Sequence, residues 1–260
     1  QITGDYSWNN HSIDMLIGAT LQKSETNQSS MQGIGFESNA LIQNIAAAKT
    51  KIINDQIINQ YNYTAVFARF NYKYLKRYIL NVTGRRDGSS RFGPNNRFGN
   101  FGAVGAAWLV SEEDWMKNIS WLSFAKLRGS FGTSGNDRIG DYQYLDTYTV
   151  SSNIYNNITA LNPSRLYNPN FSWEKTLKKE VAAEFSFFKN RWNMSATYYE
   201  NTSSNQLVGI PLPATTGFST IQSNLPAKVQ NSGWEFETSF QVFRKSEFKY
   251  VTAFNLSIPE

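Results

Sequence analysis

The sequence predicts an all-β protein, an antiparallel transmembrane β-barrel segment of about nine strands. Three observations predict this fold class. Apolar and polar residues alternate over long stretches, short and long connections alternate between those stretches, and aromatic residues crowd beside the short connections. The stretches run to about ten to fifteen residues, as membrane-crossing strands need ~9–11, whereas strands of soluble proteins cluster at ~5–6.

The alternation is clearest in residues 233–243. One face is mainly apolar and the other is polar, with Trp234, Phe236, Phe240 and Val242 set against Glu235, Glu237, Ser239 and Gln241. Because strand side chains point alternately to two faces, this pattern suits lipid on one side and water on the other. Comparable segments are His11–Leu21, Tyr63–Lys73, Arg77–Asp87, Phe98–Val110, Trp121–Phe131, Trp173–Phe187, Trp192–Asn201 and Phe248–Ser257.

The connections between these nine segments alternate in length. Short links occupy Tyr74–Lys76, Val110–Ser120, Phe188–Asn190 and Phe243–Glu247, and long links occupy Gln22–Asn62, Gly88–Arg97, Gly132–Phe171 and Gln206–Lys228. Outer-membrane barrels have this form, with short periplasmic turns and long extracellular loops. The aromatic residues beside the short links predict an interfacial girdle. The Ala-rich residues 39–51 allow a helix within a loop, and residues 111–114 predict one helical turn.

Composition excludes several classes of function. The chain has no cysteine and one histidine, so it has neither a disulfide scaffold nor a zinc site built on His or Cys. The net charge of +5 is spread along the chain, which argues against nucleic-acid binding. No cofactor motif is predicted. Glu180 and Glu184 are expected on a polar barrel interior rather than in a buried cleft, so no enzyme is predicted.

The two ends predict a fragment of a larger barrel. No secretion signal begins the sequence, and no aromatic residue ends it. Nine strands cannot close into a barrel with such long loops, and open sheet edges are not viable in lipid. Strands are therefore expected to be missing on both sides.

Four ordered motifs resemble SusC/RagA-type TonB-dependent transporters. The first is Arg77–Gly93, which contains Arg85, Arg86, Asp87, Gly88, Ser89, Ser90 and Arg91. The second is Leu127–Asn136 with Gly135 and Asn136, the third is Asn168–Lys175 with Trp173 and Glu174, and the fourth is Asn231–Glu235 with Gly233 and Glu235. Their order and spacing match the family. The sequence departs from it at Asn224–Ala227 and at Gly102-Ala103.

The resemblance implies a 22-stranded barrel with a plugged lumen, of which residues 1–260 would be a partial barrel domain without the plug. It implies active uptake of oligosaccharides, or sometimes peptides, across the outer membrane of a Gram-negative, Bacteroidetes-like cell. The implied partners are outer-membrane lipid, the TonB–ExbB–ExbD complex and a SusD-like surface lipoprotein that closes over the barrel mouth.

Two sets of residues are candidates for specific roles. Five tyrosines of the long 132–171 link offer platforms for a sugar or for the lid, although they could equally pack the loop on itself: Tyr142, Tyr144, Tyr148, Tyr155 and Tyr167. The Arg85–Arg91 segment could bind an anion, or form a hairpin end in which Asp87 pairs with an arginine and Gly88 permits a turn. The alternatives to a transporter are a passive outer-membrane porin or adhesin, and a soluble carbohydrate-binding β-sandwich.

Overall fold

Ten strands form one antiparallel sheet in the computed structural model, which describes residues 1–156, 158–244 and 248–260. The strands of this sheet are β1 (Ile2–Trp8), β2 (His11–Ile34), β3 (Thr50–Tyr74), β4 (Tyr78–Ser89), β5 (Phe98–Leu109), β6 (Leu122–Asn136), β9 (Glu174–Phe187), β10 (Trp192–Pro211), β11 (Thr220–Arg244) and β12 (Lys249–Pro259). β7 (Thr147–Tyr155) and β8 (Ile158–Arg165) form a separate hairpin within the long β6–β9 loop.

Each strand of the large sheet pairs with the next one in the chain, and β6 pairs directly with β9. The wall of an up-and-down barrel has this topology. The described residues contain one such sheet and the β7–β8 hairpin, so they do not form the two stacked sheets of a β-sandwich. Among these same residues, no helix is long and apolar enough to cross a membrane.

The predicted strand count is corrected from nine to ten, because β1 was missed. Gly4 interrupts the row of apolar residues Ile2, Tyr6 and Trp8, so the alternation of apolar and polar residues is weak. The strand has seven residues, fewer than a membrane crossing needs. β1 forms nonetheless because its backbone pairs along its whole length with β2, from Ile2 opposite Ile17 to Trp8 opposite His11.

Three predicted loops are mostly strand. The long link Gly132–Phe171 contains the end of β6 and the β7–β8 hairpin. β2 and β3 stay paired as far as Ile34 opposite Thr50, and β10 and β11 as far as Pro211 opposite Thr220. The β2–β3 extension is rich in Ser, Thr, Asn and Gln on both faces, and the β10–β11 extension has apolar residues on both faces, such as Leu207 and Val208. Both extensions therefore lack the alternation that lipid imposes. The Ala-rich residues 39–51 contain only the 3₁₀ turns Asn39–Leu41 and Ile45–Ala47 before β3 begins.

The predicted short links Tyr74–Lys76, Val110–Ser120 and Phe188–Asn190 agree with the structure to within one residue. The turn at 111–114 is a 3₁₀ turn, Val110–Glu112, which lacks a side-chain cap at Leu109. Most of the link between β11 and β12, residues 245–247, lies outside the described residues. The remaining short links join strand ends that lie together, and we call this side of the sheet the short-turn end and the opposite side the long-loop end.

Strand pairing aligns the predicted alternation into continuous rows. One row runs across seven strands on a face that we call the apolar face: Tyr78, Trp108, Leu127, Ala183, Ala196, Phe236 and Leu256. The row beside it on the opposite, polar face is Lys126, Glu184, Ser195, Glu237 and Asn255. The predicted alternation is confirmed.

The first charged or amide side chain on each strand marks the height of the apolar face. Moving from the short-turn end, the first charged or amide side chain on this face is Arg86 in β4, Asn100 in β5, Lys179 in β9 and Glu200 in β10. Each lies eight positions from its strand's outermost aromatic residue, which is Tyr78, Trp108, Phe187 and Trp192 respectively. At ~3.3 Å per residue the apolar band is roughly 26 Å long in these four strands, measured along a strand. In β2 and β3 the first such side chains are Lys23 and Asn62. They lie twelve positions from His11 and Tyr74, so the band there is roughly 40 Å long.

Aromatic rings line the short-turn end, as predicted. Trp8 stacks on His11 with ring centroids 4.9 Å apart, and His11 lies 4.9 Å from Tyr74. Tyr74 lies 6.2 Å from Tyr78, which lies 6.4 Å from Trp108. Such a row suits a membrane–water boundary, where a ring can meet hydrocarbon and a polar edge can meet water.

Candidate functional site

Two of the four motifs, the first and the third, contribute side chains to one buried aromatic cluster at the long-loop end, and Gly135 of the second motif lies against it. The cluster consists of Phe92, Phe101, Tyr144, Phe171 and Trp173. The Phe92 ring lies 4.8 Å from Trp173, and the Phe101 ring meets Trp173 edge-on at 5.5 Å. Phe92 and Phe171 are completely buried, although most large apolar residues of the sheet are exposed. The motifs therefore build the core of the loop region rather than separate sites.

Close backbone approach joins the β4–β5 loop to the segment before β9. The Gly93 amide donates to the Phe171 carbonyl at 3.1 Å, and the Trp173 indole donates to the Arg97 carbonyl at 3.1 Å. A Cβ atom on Gly93 would collide with the Pro169 backbone. Glycine is required here because two segments of the backbone approach too closely for any side chain.

Arg91 connects the cluster to the start of the long β6–β9 loop. Its Nε donates to Asp141 at 2.8 Å, its Nη1 donates to the Asp137 carbonyl at 3.1 Å, and its guanidinium lies over the Tyr61 ring at 4.1 Å. The Asp137 carboxylate in turn accepts hydrogen bonds from Tyr61 at 2.8 Å and Ser89 at 2.9 Å. Arg91 thus serves to order this loop.

The expected pair of Asp87 with an arginine is present. Arg85 donates to Asp87 and to the Tyr63 hydroxyl, both at 2.5 Å. The expected turn at Gly88 is wrong, because β4 continues to Ser89. Gly88 instead leaves room for the Phe98 ring, which would lie 2.6 Å from a Cβ atom at this position.

The remaining motif residues hold strands and loops together. Arg86 lies on the apolar face with its guanidinium 5.1 Å from the Phe98 ring centre. The Ser90 hydroxyl accepts a hydrogen bond from the Asn62 backbone amide at 3.0 Å. Asn136 donates to Glu174 across the β6–β9 pair at 2.9 Å. A Cβ atom on Gly135 would collide with the Phe101 ring.

The fourth motif lies apart from the cluster. Gly233 is in the middle of β11, where a Cβ atom would lie 2.6 Å from the Ile258 carbonyl oxygen of β12. The side chain of Glu235 is exposed on the polar face, and Glu235 lies opposite Thr197 of β10 in the strand register. This motif therefore allows the close contact between β11 and β12.

Sequence reasoning missed an asparagine network beneath the extended β10–β11 hairpin. Asn224 accepts from the Ser172 amide at 2.8 Å and donates to the Ser172 carbonyl at 2.7 Å, as a neighbouring strand would. Asn224 also donates to the Asn205 carbonyl at 3.2 Å, while Asn205 donates to the Trp173 carbonyl at 2.8 Å. Asn224 begins the stretch where the sequence departs from the resembled family, which was the available signal.

The candidate tyrosines are divided by their surroundings. Tyr144 is buried in the aromatic cluster. The Tyr142 hydroxyl accepts a hydrogen bond from the Gln60 backbone amide at 2.8 Å. Tyr148 on β7 and Tyr167 after β8 are 58% and 48% exposed. The side chain of Tyr155 lies outside the described residues. Tyr148 and Tyr167 are thus the two of the five whose described rings face solvent.

A second unpredicted cluster ties the 110–121 link to the short-turn end. Glu113 is 9% exposed and accepts hydrogen bonds from Tyr78 at 2.6 Å, Trp108 at 3.0 Å and Arg77 at 2.9 Å. The Tyr78 bond, followed by the Trp108 bond, holds the pKa of Glu113 below its ordinary value. Arg77 also pairs with Asp114 at 3.3 Å, and Lys117 pairs with Asp114 at 2.8 Å.

The polar face of β6 and β9 carries an ion-pair ladder. Arg128 pairs with Glu180 and with Glu184, the latter at 2.8 Å, and Lys126 pairs with Glu184 at 3.2 Å. Both carboxylates thus contact cations on the neighbouring strand.

Comparison with known proteins is consistent with this geometry. A family model described as "TonB dependent receptor-like, beta-barrel" matches residues 2–258. A TonB-dependent receptor of Formosa agariphila is 34% identical over 252 residues, which is 96% of this chain and 24% of that receptor. The TonB-dependent receptor SusC of Bacteroides thetaiotaomicron is 29% identical over 197 residues, which is 74% of this chain and 20% of SusC.

The solved structures that this chain resembles include a transporter and a receptor. The RagAB peptide transporter matches with a TM-score of 0.88 at 26% identity, over 99% of this chain and 29% of the matched one. The siderophore receptor PiuA of Acinetobacter baumannii has the same fold, with a TM-score of 0.59 at 14% identity over 99% of this chain and 37% of that one. The chain spans about a quarter of the length of the curated relatives it matches.

The predicted resemblance to SusC/RagA-type proteins is confirmed by these matches. The apolar face is accordingly the surface in contact with lipid, and the polar face lines the barrel lumen. The chain belongs to the TonB-dependent receptor-like β-barrel family and forms part of the wall of an outer-membrane barrel.

Proposed function

We propose that this barrel wall belongs to a receptor that takes up nutrients actively across the outer membrane with energy supplied by TonB–ExbB–ExbD. The observation that carries the proposal is the match to the RagAB peptide transporter over 99% of the chain. In this proposal residues 1–260 are part of the barrel domain of a longer chain that also contains a plug.

The proposed cargo is a peptide or an oligosaccharide. The RagAB match favours a peptide, whereas the similarity to SusC leaves oligosaccharides open. We further propose a SusD-like surface lipoprotein as partner at the long-loop end. Tyr148 and Tyr167 are candidates for contact with this partner or with cargo, because their rings are exposed beside a loop base that the aromatic cluster holds in place.

Uptake measurements in the source bacterium test this function. Cells with and without the full-length gene would be supplied with fluorescent peptides or with fluorescent oligosaccharides. The proposal expects gene-dependent accumulation of one class, which stops when a protonophore removes the energy for TonB. Accumulation that continues with the protonophore would indicate a passive porin, and surface binding without accumulation would indicate an adhesin.

The partner is tested separately. A surface lipoprotein should co-purify with the tagged full-length receptor in equal amounts, and its deletion should abolish cargo retention at the cell surface. The double variant Tyr148→Ala/Tyr167→Ala should weaken cargo or lipoprotein binding while the receptor still reaches the membrane. Unchanged binding of both would remove these two tyrosines from the proposed contact surface.

A further inference from the structure

A pocket of about 480 Å³ lies on the lumen side of β3, β4 and β5, beside the aromatic cluster, with which it shares Phe101. Its wall combines two arginines, one carboxylate and two phenylalanines: Phe67, Arg69, Arg85, Asp87 and Phe101. Arg69 lies five positions from Tyr74, at the short-turn end of β3, so the pocket is at the depth of the lipid band.

Strand pairing places the two arginines at neighbouring positions of the sheet. Phe67 pairs with Arg85, and Arg69 pairs with Thr83, so Arg69 and Arg85 are diagonal neighbours on one face of β3 and β4. Diagonal neighbours are about 7–8 Å apart, within reach of long side chains. One small anion between them can therefore receive hydrogen bonds from both.

Both arginines have donors to spare. Arg85 uses Nε for Asp87 and Nη2 for Tyr63, which leaves Nη1 free. Arg69 makes no hydrogen bond or ion pair with any residue that the structure describes. The nearby carboxylate of Asp14 is already occupied by Asn71 at 3.0 Å and Lys73 at 3.2 Å.

The charges select the kind of anion. Arg69 and Arg85 contribute two positive charges and Asp87 one negative charge, so the pocket has a net charge of +1. A monoanion would balance this charge, whereas a phosphate dianion would exceed it. Carboxylate matches the planar fork of guanidinium, and the two phenyl rings offer an apolar surface beside it.

We propose that this lumen pocket binds a carboxylate group on a flat or apolar body, held by Arg69 and Arg85 with the body against Phe67 and Phe101. The carboxylate has two possible sources, passing cargo and a side chain from elsewhere in the full-length receptor. The first source rests on the proposed uptake function. The second does not.

Binding of benzoate to the purified full-length receptor tests the pocket without any transport. Benzamide is the neutral control of the same shape, and phenyl phosphate is the dianion control. Calorimetry should give a benzoate affinity at least about tenfold above that of either control, because hydrogen bonds to charged groups are worth that much or more. Arg69→Gln should remove this preference, whereas Arg138→Gln, at an exposed arginine outside the pocket, should leave it.

Three outcomes are informative. Benzoate binding that Arg69→Gln abolishes supports the pocket with an external ligand. If benzoate does not bind, a lower unfolding temperature of Arg69→Gln that matches wild type again below about pH 4, where carboxylates become protonated, supports an internal carboxylate. Absence of both effects, or equal binding of benzamide, overturns the proposal. Energy-dependent uptake is measured separately, so the two proposals can fail independently.

Discussion

The Glu113 carboxylate and the Tyr78 hydroxyl form a 2.6 Å hydrogen bond that fastens the 110–121 link to the barrel wall. Glu113 is held by groups from two strands, since Tyr78 begins β4 and Trp108 lies near the end of β5. The link itself depends on Glu113, because the Met116 and Lys117 amides donate to its carbonyl at 2.9 and 3.2 Å.

Replacing Glu113 should loosen this link without unfolding the sheet. In Glu113→Ala, Tyr78, Trp108 and Arg77 lose a shared acceptor, so the Met116 and Lys117 amides should exchange with deuterium several-fold faster. Tyr78→Phe removes one of these bonds and should have a smaller effect. Exchange rates equal to wild type in Glu113→Ala would contradict the role assigned to this carboxylate.

The same link should loosen in acid. Because the folded pKa of Glu113 lies below its ordinary value, the carboxylate stabilises the folded link above that ordinary value. This contribution is lost as the pH falls through the lowered folded pKa. Deuterium exchange of the Met116 and Lys117 amides, corrected for intrinsic rates, should therefore rise below about pH 4 in wild type but not in Glu113→Gln.

The stability of the barrel should respond differently to a charge introduced at two adjacent residues of β4. Val82 lies on the apolar face near the middle of the lipid band, and Asn81 lies on the lumen side opposite Asn71 of β3. Val82→Arg should destabilise the folded barrel by about 2–4 kcal/mol, whereas Asn81→Arg should change stability little. Urea unfolding of the full-length receptor in lipid vesicles measures the difference, and equal effects would refute the assignment of the two faces.

Gly93 should tolerate no side chain. Gly93→Ala would press a Cβ atom into the Pro169 backbone and should cost about 1–3 kcal/mol. Gly84→Ala is the matched control, since a Cβ atom on Gly84 meets nothing within 4 Å. If the two alanine variants unfold at the same temperature, the β4–β5 loop does not pack as described.

Asn224 should stabilise the extended β10–β11 hairpin through its donors as well as its acceptor. Asn224→Asp keeps an acceptor for the Ser172 backbone amide and hydroxyl but loses both donated bonds, and Asn224→Ala loses all four. Alanine should cost about 1–3 kcal/mol. Aspartate should cost at least as much, because its second carboxylate oxygen would face the Ser172 and Asn205 carbonyl oxygens. Deuterium exchange of the Ser172 backbone amide should rise in both variants, and equal exchange in all three proteins would contradict the network.

The sequence predicted the strands best where they lie within the lipid band. Phe236 and Glu237 differ in polarity because hydrocarbon and the lumen impose opposite demands on neighbouring residues. Beyond the band both faces meet water, so nothing in the pattern distinguished strand from loop between Gln22 and Ile34. Backbone pairing alone extends β2 there, and pairing leaves little trace in composition.

The sequence predicted several residues of the site but not the contacts between them. Arg91 and Trp173 were recognised through their motifs, yet the contact between Phe92 and Trp173 joins residues far apart in sequence. The pairing of β6 with β9, which bypasses the β7–β8 hairpin, creates that contact. Glu113 was likewise missed because Tyr78 and Trp108 become neighbours only once β4 and β5 are in register.

The height of the apolar band varies along the barrel wall, which constrains the lipid around it. Strands tilted by ~45° would convert a band of roughly 26 Å in β4, β5, β9 and β10 into a hydrophobic thickness of about 18 Å, and a band of roughly 40 Å in β2 and β3 into about 28 Å. The average bilayer core is ~30 Å thick, and each ångström of mismatch carries a small penalty. We therefore expect the bilayer to be thinner beside β4, β5, β9 and β10 than beside β2 and β3.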